Sequence, residues 1–131
     1  MILLDTHVLL WWIADDTNLP ASVKKYITAH RKSGILVSSM SFWEIALLVK
    51  KGRLSLGYDV RTWTEKVLSL EFLKVVPPDP FLLIESVMLS DFHKDPADRI
   101  IAATSLKMGA VLVTKDNKLR TSPHLKTYWR D

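Results

Sequence analysis

MILLDTHVLLWWIA, residues 1–14, is the stretch on which the fold turns. An apolar run, Ile2 to Leu4, leads without a break to Asp5, and beyond it Val8, Leu9 and Trp12 recur at helical spacing. A buried strand giving way to a helix accounts for both halves. A membrane span needs about 20 apolar residues and a secretory leader needs a basic start. This run is shorter, lacks the basic start and carries Asp5 and His7 within it. Neither a leader nor a membrane segment is expected.

The same alternation recurs down the chain. Asn18-Leu19-Pro20 opens a helix expected to end near Ser33-Gly34, and ILVSS (35–39) reads as a buried strand. SFWEIALLVKKG (41–52) is helical up to Gly52, and residues 58–70 form another helix with Trp63 and Val67 on its inner face. LKVVPP (73–78) is a strand stopped by prolines, followed by helices in DPFLLIESVML (79–89) and PADRIIAATSLKM (96–108). The second of these ends at Gly109, AVLVTKD (110–116) is a strand with a turn, and TYWRD (127–131) adds a short edge strand. Apolar strands alternating with helices, three of them closed by glycine, indicate a doubly wound α/β fold around a parallel sheet. Its 131 residues suffice for one domain, 1–131, with a real core.

The chain has no cysteine, so disulfides and thiolate metal sites are excluded, in keeping with a reducing cytoplasm. The net charge of +4 favours a polyanionic partner such as nucleic acid, although a solvated lysine-rich surface explains that charge more simply. Trp11, Trp12, Trp43 and Trp63 lie on apolar segments and are expected mainly in the core.

In open parallel sheets ligands bind beyond the carboxyl ends of the strands. The residues that follow those ends are acidic: Asp5 after the first strand, Glu44 after the second, Asp116 after the last main strand. Each has an ordinary structural explanation. Ser41-x-x-Glu44 reads as a capping box, and Asp116-Asn117 as a turn. Asp5 is harder to explain that way, because Asp is depleted in strands. HKDPADRIIAATS (93–105) adds two carboxylates at a helix start. Asp95 suits the N-cap, with Pro96 at the first helical position and Asp98 at the third. Either carboxylate is explained locally by capping and by the helix dipole alone. Converging carboxylates repel one another unless a cation intervenes, and oxygen-only ligation suits Mg²⁺ or Mn²⁺. Such a centre in a basic exterior is the layout of a nuclease.

With LLDTHVLLWW (3–12), SSMSFWEIALLVKKGRL (38–54), HKDPADRIIAATS and VLVTKD (111–116) in this order, the chain resembles the PIN-domain ribonucleases over essentially its whole length. More narrowly it is similar to the VapC-type toxins of toxin–antitoxin pairs. The resemblance implies a three-layer α/β/α sandwich and a site of acidic residues holding Mg²⁺ or Mn²⁺. Asp5, Glu44, Asp98 and Asp116 match its four acidic positions in chain order. Thr6 is expected to support Asp5, Thr114 to stand beside Asp116, and Asp95 to cap its helix with an auxiliary role. RNA hydrolysis to a 5′-phosphate and a 3′-hydroxyl is implied, as are a VapB-type antitoxin and a homodimer. Lys94, Arg99, Lys115 and Lys118 are candidates for phosphate contacts. His7, often Asn or Ser in the wider family, reads as a buried core residue, or as one that orients a water or carboxylate.

Three rivals fare less well. A phosphoacceptor receiver domain wants an acceptor Asp at the end of the middle strand, where Val76-Pro77-Pro78 stands. A dehalogenase-type phosphatase needs Asp-x-Asp, and position 7 is His. A non-catalytic PIN-like module for RNA or protein binding has no need of the full acidic set.

Overall fold

The computed structural model describes residues 1–89 and 95–131. Strands β1 (Ile2–Leu4), β2 (Ile35–Ser38), β3 (Leu73–Val76), β4 (Val111–Val113) and β5 (Thr127–Tyr128) form one sheet in the order β3-β2-β1-β4-β5. Every neighbouring pair is parallel, and Leu3 of β1 stands between Leu36 of β2 and Leu112 of β4. The helices are α1 (Thr6–Ala14), α2 (Ala21–Ala29), α3 (Ser39–Lys50), α4 (Val60–Leu68), α5 (Pro80–Met88), α6 (Pro96–Met108) and α7 (Asn117–Arg120).

The period of two along the central strands sorts the core into two layers. Ile2, Leu4, Ile35, Val37 and Val113 face one layer, with Val8, Val23, Ile27, Ile45, Trp63 and Val67 from α1 to α4. Leu3, Leu36 and Leu112 face the other, with Ile101 and Ala102 of α6 and Leu119 of α7. All three residues of β1 are wholly buried, which is why the run reads as continuously apolar. Each such side chain contributes about 1.5–3 kcal/mol on leaving water. The three-layer architecture expected from the sequence is the observed one, including the short edge strand at Thr127–Tyr128.

Local details differ from the sequence reading. Helix α3 begins at Ser39 with Ser38 as its N-cap, whose Oγ accepts from the Met40 amide at 3.1 Å. Ser41 is therefore inside the helix, and the capping box with Glu44 does not form. Helix α2 stops at Ala29, so Gly34 closes no helix; Gly109, at φ 62°, does cap α6. The expected turn at Asp116-Asn117 is the start of α7, with Asp116 as its N-cap. Trp63 and Trp129 are buried and Trp11 and Trp12 pack against the core, whereas Trp43 is 53% exposed.

From β1 the strand order runs to β2 on one side and to β4 on the other. That reversal opens a crevice at the carboxyl ends of β1 and β4, where the amide of Asp5 donates to the carbonyl of Val113 at 3.1 Å.

Candidate active site

Asp5 ends β1 and caps α1. One carboxylate oxygen accepts from the amide of Thr6 at 2.8 Å, the other from the Thr114 hydroxyl at 2.6 Å. Thr114, wholly buried at the end of β4, also accepts the amide of Asp116 at 3.0 Å. One hydroxyl thus fixes Asp5 and the turn that carries Asp116. Asp116 in turn accepts the amides of Lys118 and Leu119 at 2.8 and 3.2 Å, which opens α7.

Thr6 serves two carboxylates, the expected Asp5 and also Glu44. Its backbone amide holds Asp5, but its hydroxyl donates to Glu44 Oε1 at 2.6 Å and lies 2.9 Å from the buried Ser41 hydroxyl. Placing Ser41 inside α3 turns it, with Glu44 three residues on, towards the end of β1. Thr114 stands beside Asp116, as the sequence suggested, and in addition supplies the hydroxyl that holds Asp5.

The fourth contribution comes from the start of α6. Asp95 is the N-cap, accepting the amides of Ala97 at 2.9 Å and Asp98 at 3.4 Å, with Pro96 at the first helical position. Asp98 follows at the third, one turn before the buried Ala102. Ala102 packs with Leu3 and Leu112, so a small side chain lets α6 lie close over the sheet.

These residues share a cleft of about 430 Å³, lined by Asp5, Glu44, Asp95, Asp98 and Asp116 together with His7, Val8, Trp11 and Lys115. Carboxylate oxygens of Glu44, Asp95 and Asp98 lie within 4.8 Å of one another. The crowding shows in their proton affinities. Burial, and then the negative charges of Asp5, Asp95, Glu44 and Asp116, push the Asp98 carboxyl up to about 8. Burial also raises Asp5 and Glu44, partly offset by the Thr114 and Thr6 hydrogen bonds. Charge concentrated in this way suits a divalent cation, whose two positive charges would relieve it. The donors are all oxygens, as Mg²⁺ and Mn²⁺ prefer.

Asp95 is the residue whose position the sequence undervalued. Its capping hydrogen bonds explain the Asp-Pro signal completely, yet the same carboxylate lies in the cluster. His7 is exposed and lines the cleft, and is not a core residue. Of the basic candidates, Lys115 lines the cleft, its Nζ 6.0 Å from the centre of the Trp11 ring, while Lys118 sits on α7 outside the lining. Arg99 is directed elsewhere. Its guanidinium donates to the carbonyls of Ser86 at 2.8 Å, Val87 at 2.9 Å and Leu89, fastening α6 to the end of α5. A phosphate contact from Arg99 has no geometric support. Lys94 lies outside the described residues. An adjoining, mostly apolar groove of about 650 Å³ shares His7 and Trp11 with the cleft and carries Arg53 and Lys66 on its wall.

Known proteins share both the sequence pattern and the fold. Residues 2–124 match the PIN domain family. Ribonuclease VapC22 of Mycobacterium tuberculosis is 34% identical over 131 residues, 98% of each chain. Among solved structures, VapBC2 of Rickettsia felis, bound to a DNA fragment from its promoter, superposes with TM-score 0.71 at 20% identity, over 98% of both chains. VapC20 of M. tuberculosis, a sarcin–ricin loop cleaving toxin, superposes with TM-score 0.67 at 14% identity, over 96% of this chain and 98% of that one. The two structures share the fold, and the sequence matches reach further: the chain belongs to the PIN domain family and sides with the VapC ribonucleases within it.

Proposed function

We propose that residues 1–131 form a single catalytic domain, a metal-dependent endoribonuclease that acts as the toxin of a toxin–antitoxin pair. The observation that carries this reading is the convergence of Glu44, Asp95 and Asp98 within 4.8 Å in the cleft that also holds Asp5 and Asp116. A relative named as a ribonuclease at 34% identity supports the reaction class. The likeness in fold to a VapBC complex and to a toxin that cleaves the sarcin–ricin loop supports the biological role.

Asp5, Glu44, Asp98 and Asp116 would hold the metal with Asp95 completing the set, directly or through water. Mg²⁺ or Mn²⁺ bound there would supply Lewis-acid polarisation of the scissile phosphate and activation of water near neutral pH. Glu44, its Oε1 held by Thr6, keeps its other oxygen to orient the attacking water. In-line attack at phosphorus leaves a 5′-phosphate and a 3′-hydroxyl. Lys115, at the cleft wall, meets the RNA backbone, with Lys118 a more peripheral phosphate contact. A VapB-type antitoxin would block the same cleft, with the adjoining apolar groove as a bed for its chain. An RNA substrate and an antitoxin would both be met in the cytoplasm.

Incubation of the purified protein with end-labelled RNA, with Mg²⁺ or Mn²⁺ and with EDTA, tests the reading. Cleavage that leaves 5′-phosphate ends and stops on chelation is expected. Cleavage that persists in EDTA removes the metal from the mechanism. Binding of RNA without cleavage under every metal condition would favour the non-catalytic module.

A further inference from the structure

Helix α1 stands between the acidic cleft and the adjoining groove, and its His7 and Trp11 line both. The two are four residues apart, which puts them one above the other on a single helix face. Asp5 caps the same helix, so both rings are in fixed register with the acidic site. Trp11 stands about 9 Å further along the helix axis than Asp5.

The setting of these rings differs from that of an aromatic pair that closes on itself. Tyr26 and Tyr128 lie flat together, with centroids 3.7 Å and planes 5° apart. His7 and Trp11 are 5.9 Å apart with planes inclined by 50°, so neither covers the face of the other. Trp11 is half-buried and braced by the buried Trp129 at 6.2 Å, and His7 is exposed. A ring held against the core yet bare towards two cavities has aromatic surface left for a ligand. Lys115, exposed on the cleft wall, carries its Nζ 6.0 Å from the centre of the Trp11 ring. It forms no ion pair among the described residues. Further along the groove Lys66 repeats the arrangement, its Nζ 5.1 Å from the ring of the exposed Tyr58. The groove's own carboxylate, Asp16, is engaged by the amide and side chain of Asn18 at 2.8 and 2.9 Å.

We propose that His7 and Trp11 form a stacking platform for one unpaired nucleobase of the RNA, next to the scissile phosphate, with Lys115 on the phosphate of that nucleotide. Aromatic faces beside uncommitted cations are the chemistry that holds single-stranded nucleic acid, base on ring and phosphate on ammonium. The proposal rests on the ribonuclease reading for its substrate and narrows it. A base reaches the platform only outside a duplex stack, so single-stranded RNA is bound and duplex RNA is not. Stacking accepts every base, so the platform sets the position of the strand and not a sequence code. An antitoxin chain laid in the groove would cover the platform together with the acidic cleft.

Binding tests the platform apart from cleavage. Asp98→Asn protein with Mg²⁺, which the ribonuclease reading expects not to cut, is titrated into two fluorescein-labelled strands of equal length. One is oligoadenylate and the other is the same ribose-phosphate backbone without bases. Trp11→Leu, added to that protein, keeps apolar bulk against Trp129 and removes the indole. It should weaken oligoadenylate binding about 5-fold or more, within the range of about 5–150-fold that one stacked base is worth. The abasic strand should bind as before. His7→Ala, at an exposed position, should shift the two strands in the same unequal way. Phe81→Leu, an exposed aromatic that lines neither cavity, should change neither strand. Oligoadenylate binding unchanged within two-fold in either platform variant overturns the proposal and leaves the rings to the antitoxin. Equal losses on both strands overturn it too, since they mark a role in the fold or in backbone contact. Should Trp11→Leu fail to fold by circular dichroism, His7→Ala decides alone. Base-dependent binding by a parent chain that cuts no RNA would end the ribonuclease reading and leave the platform standing. Cleavage by the parent with unaltered binding in the variants would end the platform alone.

Discussion

At the scale of single residues, the site depends on two threonines. Thr114 bridges Asp5 and the amide of Asp116, so one hydroxyl sets both sides of the crevice. Thr114→Val keeps the shape and deletes both bonds. We expect RNA cleavage to fall about 10–100-fold, the range seen when the partner of a metal-binding carboxylate is lost. A rate unchanged within two-fold, measured on folded protein, would remove Thr114 from the site. The sequence named Asp5, Glu44, Asp98 and Asp116 because each follows a strand or opens a helix at one sheet edge. It could not pair the hydroxyls with the carboxylates. Ser38, Ser39 and Ser41 all suit a helix start, and the capping-box pattern favoured Ser41. Ser38 caps instead, because the strand ends there and the helix follows at once. The environment of His7 was illegible for a related reason. Helical periodicity puts it among apolar neighbours, but the crevice opens on its side of α1.

At the scale of elements, α6 was the most legible. An Asp-Pro start and a Gly stop fix both ends, and the observed helix runs from Pro96 to Met108. What the pattern hides is that Asp95 both caps the helix and joins the acidic cluster. Asp95→Ser separates the two roles, since serine caps about as well as aspartate but offers no carboxylate. We expect a melting temperature close to the parent and reduced cleavage at limiting metal. Asp95→Ala should in addition cost about 0.5–2 kcal/mol, as lost caps do. If Asp95→Ser cleaves at the parent rate throughout a metal titration, Asp95 is a cap and nothing more. Elements with weaker punctuation were read less well. Helix α7 has only four residues, too few for a periodic signal, and it passed for a turn.

At the scale of the whole molecule, a chain of net charge +4 builds an acidic cleft at the reversal of its strand order. That order was legible only as a class. Alternating strands and helices indicate a parallel sheet, but which strand lies beside which follows from packing among residues far apart in sequence. The cleft makes stability depend on pH. In the unfolded chain Asp98 titrates near 3.8, and in the folded protein it is raised to about 8. The folded state therefore holds a proton that the unfolded state has lost. This contribution is full below 3.8 and is lost as pH rises through about 8, with Asp5 and Glu44 acting in the same direction. Across that window the melting temperature of the metal-free protein should decline, Asp98→Asn should flatten the decline, and Mg²⁺ should stabilise most at the alkaline end. A parent and an Asp98→Asn profile of equal slope would contradict the charge crowding inferred for the cleft.

The most direct test of the central claim, that these carboxylates form a metal-dependent ribonuclease centre, is the rate of RNA cleavage as Mg²⁺ or Mn²⁺ is titrated into chelator-treated protein. The parent chain should be silent without metal and rise to a plateau. Asp98→Asn, folded by circular dichroism, should stay silent at concentrations that saturate the parent. Equal, metal-independent cleavage by both proteins would contradict the account.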